Sequence, residues 1–210
     1  MEIAFAWLAV ALFLVFFAVD VLARGYLHWR STGSTGTPRR VSGLKASDFA
    51  GGAVAFAGMT TTVAGAVLAA TSRMDAVRYL EFTGVRVAGT LLAAFGIGAV
   101  WVAQSGMGTS WRATIDYTER PELVTTGLFA VIRNPIFTFI IVTAAGLALM
   151  APNAVALTGV VAVALGIDVH VRRVEEPYLR WAHGDAYVRY AAKVGRFVPG
   201  VGRIKRTDDV

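Results

Sequence analysis

The chain has 210 residues, of which 56% are hydrophobic and only 16% are charged. Soluble domains carry about 25% charged residues, so this composition excludes an ordinary soluble fold and indicates an integral membrane protein. The sequence contains no cysteine, which excludes disulfides, thiol nucleophiles and cysteine-ligated metal sites.

Three apolar blocks in the first half are each long enough to cross a hydrocarbon core of ~30 Å at ~1.5 Å per residue. They run from Glu2 to Ala23, from Phe49 to Ala70 and from Phe82 to Ala103. The first block has neither the basic n-region nor the cleavage site of a signal peptide, so we interpret it as a retained helix.

Small residues recur at roughly four-residue spacing in the second and third blocks, and this spacing lets helices pack closely in lipid. A substrate groove lined by small residues is the alternative interpretation. The predicted contact positions are Gly51, Ala55, Gly58, Thr62 and Gly65 in the second block, and Gly84, Ala88, Ala94 and Gly98 in the third.

Two shorter apolar blocks follow, from Ile136 to Met150 and from Ala154 to Val169. Pro152 lies between them and cannot continue a helix, so the pair is predicted to form a helical hairpin. Arms of about 15 residues cover only ~22 Å, so they would barely span the membrane. The predicted fold class is therefore an all-α, polytopic integral membrane protein with about five transmembrane helices, the last two a short hairpin, plus a cytoplasmic C-terminal helical segment.

Basic residues follow the first, third and fifth predicted spans, and cytoplasmic flanks collect Lys and Arg. This distribution predicts a multi-pass protein of the cell membrane with its N-terminus outside and its C-terminus cytoplasmic. The net charge of +6 is then explained by a surface that faces anionic lipid, without a nucleic-acid partner. The residues concerned are Arg24, Arg30, Arg39, Arg40 and Lys45; Arg112, Arg120 and Arg133; and the series from Arg172 to Arg206, whereas the other side has Arg73 and Arg78, with Arg86 just inside the third span.

The histidines, His28, His170 and His183, form neither an HxxxH nor an HExxH pair, so no metal site is predicted. The sequence has no P-loop and no GxGxxG after a strand. A nucleotide-like cofactor would therefore need a site other than a Rossmann crevice.

Two polar segments, residues 108–135 and residues 168–210, flank the hairpin and are predicted to meet on its cytoplasmic side. Gly127 permits a tight turn, and Pro135 begins a helix whose first N–H groups favour an anion. Glu175 and Glu176 begin the second segment, where a solvated helix end with local ion pairs is the alternative interpretation. We therefore divide the chain into a three-helix transmembrane scaffold, residues 1–104, and a catalytic half, residues 105–210, with a cofactor loop, the hairpin and a C-terminal cytoplasmic helix.

The motifs of this second half resemble, in order and spacing, those of the isoprenylcysteine carboxyl methyltransferases and related membrane phospholipid methyltransferases. Asn134 stands where many relatives have histidine, and Phe137 stands where tyrosine is usual, so the hydrogen bonds of those side chains are altered. The matching residues are Leu123, Val124, Thr125, Gly127, Phe129, Arg133 and Pro135 before the hairpin, and Glu175, Glu176, Leu179, Gly184, Tyr187, Tyr190, Arg196, Phe197 and Pro199 after it.

The resemblance implies an S-adenosylmethionine-dependent methyltransferase that acts on a lipophilic, isoprenoid or lipid-like acceptor at the cytoplasmic membrane interface. It implies that the glutamates accept hydrogen bonds from the cofactor and that Arg133 or Arg196 binds its carboxylate. The implied catalytic residues are Arg133, Glu176 and Arg196. The implied cofactor-binding residues are Leu123, Val124, Gly127, Leu128, Phe129, Arg133, Asn134, Pro135, Phe137, Glu175, Glu176 and Tyr187.

The motifs do not identify the chemical group that accepts the methyl group. A carboxylate acceptor needs no general base because it is already deprotonated, whereas an amine or hydroxyl would need one, with Glu175, Glu176 and His183 as candidates. Two other functions remain as alternatives: an NADPH-dependent membrane reductase or isomerase of steroid-reductase-like architecture, and a non-catalytic membrane protein.

Overall fold

The computed structural model describes residues 2–34, 46–113, 115, 117–118 and 120–204. These residues form helices and loops without a β-strand beyond two isolated bridges, so the predicted all-α class is confirmed for them. The α-helices are α1 (Glu2–Phe16), α2 (Arg24–Thr32), α3 (Ala50–Ala70), α4 (Thr83–Gly106), α5 (Pro135–Met150), α6 (Ala154–His170), α7 (Glu176–His183) and α8 (Asp185–Lys193).

Four of the described helical stretches are long and apolar enough to cross a membrane, which supports a multi-pass membrane protein. They are Glu2–Thr32, Ser47–Ala70, Thr83–Gly106 and Ala154–His183. The apolar α5 has only 16 residues and does not reach that length. The fifth span therefore stays a prediction.

The first and last of these stretches are longer than expected, because each continues through a π-helical segment. Phe17–Ala23 joins α1 to α2, and Val171–Glu175 joins α6 to α7. A π-turn keeps the backbone hydrogen-bonded through i→i+5 pairs, so the polar residues there do not end the helix. The helices thus continue beyond the apolar blocks that end at Ala23 and Val169, and the second hairpin arm is longer than the predicted length of about 15 residues.

The turn of the hairpin lies where the sequence places it, between Met150 and Ala154. Asn153 is fully buried there, and its side-chain oxygen accepts the N–H of Ala156 at 3.0 Å. Its amide nitrogen donates to the carbonyl of Gly65 at 2.8 Å. Asn153 thus caps α6 and ties the turn to the end of α3.

Glycines at seven-residue intervals bring α3 into close contact with α6. A Cβ added to Gly51 would lie 2.5 Å from the backbone nitrogen of His170, and one added to Gly58 would lie 2.5 Å from that of Val163. Gly159 contributes from the α6 side, since its Cβ would lie 2.5 Å from a backbone nitrogen of α3. The packing role predicted for the small residues of the second block is confirmed.

A similar contact joins α4 to α5, but through other residues than predicted. Added Cβ atoms on Gly89 and Gly96 would overlap the backbone of α5. Gly84 and Gly98 have nothing within 4 Å of an added Cβ, so the contact predicted at those two positions is wrong. The helix carries small residues on more than one face, and the position of α5 decides which face is used.

The glycine contact predicts that Gly58→Ala destabilises the protein while Gly98→Ala does not. Alanine favours a helix over glycine by about 1 kcal/mol, but overpacking a tight contact costs about 1–3 kcal/mol, and α6 backbone leaves the new methyl no room. We expect a lower melting temperature in detergent for Gly58→Ala. An equal or higher melting temperature in both variants would contradict the close packing of α3 and α6.

The two ends of the bundle are chemically different. At one end Arg86 is buried and donates to Glu2 at 2.7 Å and to the carbonyl of Glu81 at 3.0 Å. At the other end lie the C-terminus of α4, the N-terminus of α5 and the π-helical segment after α6, together with both polar segments. The predicted cytoplasmic residues Arg39, Arg40, Lys45, Lys205 and Arg206 lie outside the described residues.

Candidate functional site

The polar segments on either side of the hairpin lie side by side. The N–H of Arg133 donates to the carbonyl of Gly195 at 2.8 Å, and the N–H of Asn134 donates to that of Arg196 at 3.1 Å. The Asn134 side-chain amide also donates to the Arg196 carbonyl, at 3.3 Å. The Arg133-Asn134-Pro135 motif is thus hydrogen-bonded to the segment that begins at Arg196, although the two are distant in sequence.

The carboxylate of Glu176 joins these segments to α7. Its Oε1 accepts from Arg133 Nη2 at 2.7 Å and from Arg196 Nε at 2.8 Å, and its Oε2 accepts from Arg196 Nη2 at 2.8 Å. The hydrogen bonds to this carboxylate raise the pKa of Arg196 above its ordinary value. The three residues that the resemblance marks as catalytic therefore meet in one buried ion cluster.

The Arg133 guanidinium is also bonded to the C-terminal segment. Its Nη1 donates to the carbonyls of Ala191 and Val194, and its Nη2 donates to the carbonyl of Gly202. The side chain is only 1% exposed. Both terminal nitrogens are therefore occupied by protein acceptors, and Arg133 holds the segment after α8 in place.

Two tyrosines of α8, Tyr187 and Tyr190, lie close to this network. The hydroxyl of Tyr190 donates to the carbonyl of Phe129 at 2.6 Å, and burial raises the pKa of Tyr190 to about 12. Tyr187 is fully buried, and burial likewise raises its pKa above the ordinary value. Both phenols are therefore neutral at physiological pH, and Tyr190 links α8 to the loop before α5.

A cavity of 430 Å³ opens beside the ion cluster. This volume lies within the range of about 300–1,000 Å³ that is typical of small-molecule sites. The sequence-predicted residues that line it are Leu123, Val124, Phe129, Arg133, Asn134, Pro135, Phe137 and Glu175. The predicted residues Gly127, Leu128, Glu176, Tyr187 and Arg196 are not part of the lining.

Gly127 and Leu128 do not line the cavity but belong to the turn that carries Phe129. Gly127 has a φ of +60°, a left-handed conformation that glycine adopts at no steric cost. The short turn that it begins, Gly127–Ala130, brings Phe129 to the cavity. Leu128 packs against the apolar core. These two residues shape the loop and do not face the cavity.

Several lining residues were not singled out from the sequence. Asp48 and Phe49 come from the segment before α3, Gln104 from the last turn of α4, and His170 from the end of α6. His170 Nε2 lies 3.6 Å from Glu175 Oε1. Their place at the cavity follows from where the helices end and how they pack, and no local motif marks those features.

The cavity combines carboxylates with apolar side chains. Asp48, Glu122 and Glu175 line it. Of the two arginines in the lining, Arg133 is paired with Glu176, and Arg112 donates to backbone carbonyls. Ile136, Phe137, Ile140 and Val174 supply apolar lining. Such a site favours a ligand with both cationic and apolar parts. Within the part of the chain that the structure describes, no group of His, Asp or Glu could hold a metal ion.

Residues 85–186 match the family model described as phospholipid methyltransferase. This segment includes most of α4, the hairpin and the Glu175-Glu176 pair. No curated protein matches the chain in sequence.

The fold is similar to a solved structure of isoprenylcysteine carboxyl methyltransferase, described as the eukaryotic intramembrane Ras methyltransferase. That structure was determined without a monobody. The TM-score is 0.54 at 17% sequence identity, and the alignment covers 94% of this chain and 69% of that one. The two findings together support a membrane methyltransferase. They confirm the resemblance inferred from the motifs, to the isoprenylcysteine carboxyl methyltransferase-like and phospholipid methyltransferase family of membrane proteins.

Proposed function

We propose that the protein transfers a methyl group from S-adenosylmethionine to a lipophilic acceptor at the cytoplasmic interface of the cell membrane. The observation that carries this proposal is the 430 Å³ cavity between the Arg133-Asn134-Pro135 motif and Glu175. The family match over residues 85–186 supports methyl transfer as the reaction.

The lining offers a partner for each part of the cofactor. Glu175 is one-quarter exposed at the cavity, and its carboxylate accepts the α-ammonium through a charge-assisted hydrogen bond. The first N–H groups of α5, after Pro135, have no intrahelical acceptor and suit the α-carboxylate. Phe129 and Phe137 provide apolar surface for the adenine.

Arg133, Glu176 and Arg196 act as positioning residues in this proposal. Their charged groups bond to one another and to backbone carbonyls, so they hold the two polar segments at the distance that the cofactor needs. The departure at Asn134 fits the same role, because its amide donates to the Arg196 carbonyl. A histidine is not required for that contact.

The acceptor reaches the cofactor along the apolar side chains, which include Ile136 and Ile140 of α5. Holding the nucleophile in line with the sulfonium and excluding water supplies much of the rate in such a reaction. Residues 105–210 provide most of this site. The scaffold, residues 1–104, adds Asp48, Phe49 and Gln104.

The proposed orientation places the cavity end of the bundle in the cytoplasm and Arg86 at the outer side. Arg24, Arg112 and Arg120 belong to the cavity end, as the excess of basic residues on cytoplasmic flanks requires. Labelling of single cysteines introduced at Tyr79 and at Arg173 in intact cells tests the orientation, since only the first would react with an impermeant thiol reagent.

Calorimetric titration of the purified protein with S-adenosylmethionine, S-adenosylhomocysteine and NADPH tests the proposal. We expect both sulfur compounds to bind and NADPH not to bind. Binding of NADPH alone would favour a reductase, and binding of none of the three would favour a non-catalytic protein. Methyl-label transfer into a lipid extract, followed by mass spectrometry of the product, then identifies the acceptor.

A further inference from the structure

A tight turn after α8 displays two valines on the protein surface. The N–H of Val201 donates to the carbonyl of Val198 at 3.1 Å, with Pro199 and Gly200 between them. Gly200 has a φ of +75°, as a type II turn with proline and glycine at its centre requires. The side chains of Val198 and Val201 are 54% and 63% exposed. The 198–201 turn thus presents apolar surface outwards.

Backbone hydrogen bonds hold the base of this turn in place. The N–H of Arg196 donates to the carbonyl of Val201 at 2.8 Å, and the carbonyl of Arg196 accepts from the N–H of Asn134 at 3.1 Å. On the other side of the turn, the carbonyl of Gly202 accepts from Arg133 Nη2 at 3.0 Å. The exposure of the valines therefore belongs to a fixed part of the structure and not to a loose end.

The 198–201 turn lies beside the first turn of α5, within the length of α4. Thr138 Oγ1 donates to the carbonyl of Phe197 at 3.0 Å, and the Phe197 side chain packs against the apolar core. A Cβ added to Gly96 would lie 3.0 Å from the carbonyl oxygen of Phe139, so this part of α5 is level with Gly96 of α4. Gly96 lies ~15 Å before Gly106, where α4 ends, at ~1.5 Å per residue.

The bundle presents apolar side chains to its surroundings at the same height. Phe95 of α4 is 61% exposed, and its ring centroid lies 5.7 Å from that of Phe139. A large apolar side chain that is exposed on a membrane-spanning helix faces lipid. The two valines are therefore level with a lipid-facing part of the bundle.

A cation accompanies the valines. Arg203 is exposed, and its Nη2 would lie 3.5 Å from a Cβ added to Gly200, so the guanidinium lies over the turn. Among the residues that the structure describes, Arg203 has no carboxylate partner. Exposed apolar side chains next to a cation are typical of interfacial segments, whose apolar groups enter the lipid while the cation meets the headgroups.

We propose that the 198–201 turn docks into the lipid leaflet at the cavity end of the bundle, with both valines in the lipid and Arg203 at the phosphate of an anionic phospholipid. Interfacial segments enter the boundary between headgroups and acyl chains by about 5–10 Å. The proposal does not depend on methyl transfer. The docked segment nevertheless adjoins the ion cluster, because Arg196 bonds to Glu176 and Gly202 bonds to Arg133.

The chain contains no cysteine, so single cysteines can report what surrounds the turn. Val198→Cys and Val201→Cys are labelled with the fluorophore NBD in vesicles of phosphatidylcholine and phosphatidylglycerol. The controls are Phe95→Cys on the exposed face of α4 and Ala186→Cys, an exposed position beyond α7. Quenching is measured with phosphatidylcholine that carries a spin label on its acyl chain, and with iodide on both sides of the bilayer.

We expect both labels on the turn to be quenched by the lipid spin label and shielded from iodide, as at Phe95→Cys and opposite to Ala186→Cys. Because a fluorophore can itself enter lipid, the unlabelled cysteines are also reacted with a charged thiol reagent. Val198→Cys should react about tenfold more slowly than Ala186→Cys, because apolar surroundings lower the fraction of thiolate. A reaction at the turn as fast as at Ala186→Cys would overturn the proposal, whatever the fluorophore shows.

Arg203→Gln tests the headgroup contact. Quenching of the Val198→Cys label by spin-labelled phosphatidylglycerol is compared with quenching by spin-labelled phosphatidylcholine. Arg203 should enrich phosphatidylglycerol about fivefold near the label, the factor that corresponds to about 1 kcal/mol per arginine at an anionic surface. Arg203→Gln should remove this preference, whereas Arg180→Gln, at an exposed position of α7, should keep it. Equal quenching by the two lipids with Arg203 present, or a preference that persists in Arg203→Gln, would overturn the assignment of an anionic phospholipid.

Discussion

Replacing Glu176 by Gln should lower the free energy of unfolding by about 3–5 kcal/mol, the usual cost of removing one partner from a buried ion pair. Glu176 accepts three hydrogen bonds from Arg133 and Arg196, and the Arg133 side chain is only 1% exposed. A neutral amide would leave both guanidinium charges uncompensated in a buried place. Thermal unfolding in detergent, followed by circular dichroism, measures the effect.

The control for this prediction is Asp168→Asn. Asp168 accepts from Arg172 at 2.7 Å in an exposed pair four residues apart on the helix, and such pairs contribute only about 0.3–0.5 kcal/mol. If both variants unfold at nearly the wild-type temperature, the Glu176 cluster does not hold the C-terminal segment in the way its hydrogen bonds indicate.

The meeting of Arg133 with Glu176 could be predicted from the sequence. The two residues lie on either side of a hairpin whose turn is set by Pro152, and a hairpin returns its ends to the same side of a membrane. The resemblance placed both in one motif set. The motif does not reveal that Arg133 bonds to backbone carbonyls, because these belong to the last turns of α8 and to the segment after it, where no motif residue marks them.

The pairing of His170 with Glu175 could not be predicted. Helical periodicity relates residues three and four apart, so a sequence pattern places these two on different faces. The π-helical turn between them is what brings their side chains together. The same limit explains why the helix contact predicted at Gly84 and Gly98 is wrong. A sequence reveals that small residues are present but not which face of the helix meets its neighbour.

Glu175→Gln should raise the Kd for S-adenosylhomocysteine by about 10- to 100-fold, because a hydrogen bond to a charged group contributes about 1.5–3 kcal/mol and each 1.4 kcal/mol is a factor of ten. The fold should be unaffected, since the Glu175 side chain is 25% exposed and its nearest charged partner, His170, is 3.6 Å away. Calorimetric titration measures the affinity, and the unfolding temperature is checked in the same preparation. Asp168→Asn serves again as the control, because it removes a carboxylate of the same helical stretch that does not line the cavity. An unchanged Kd in Glu175→Gln would mean that the cofactor ammonium binds elsewhere. A loss of affinity in Glu175→Gln but not in Asp168→Asn would assign the ammonium contact to Glu175. Glu175 would then bind the cofactor, whereas Glu176 supports the fold around it.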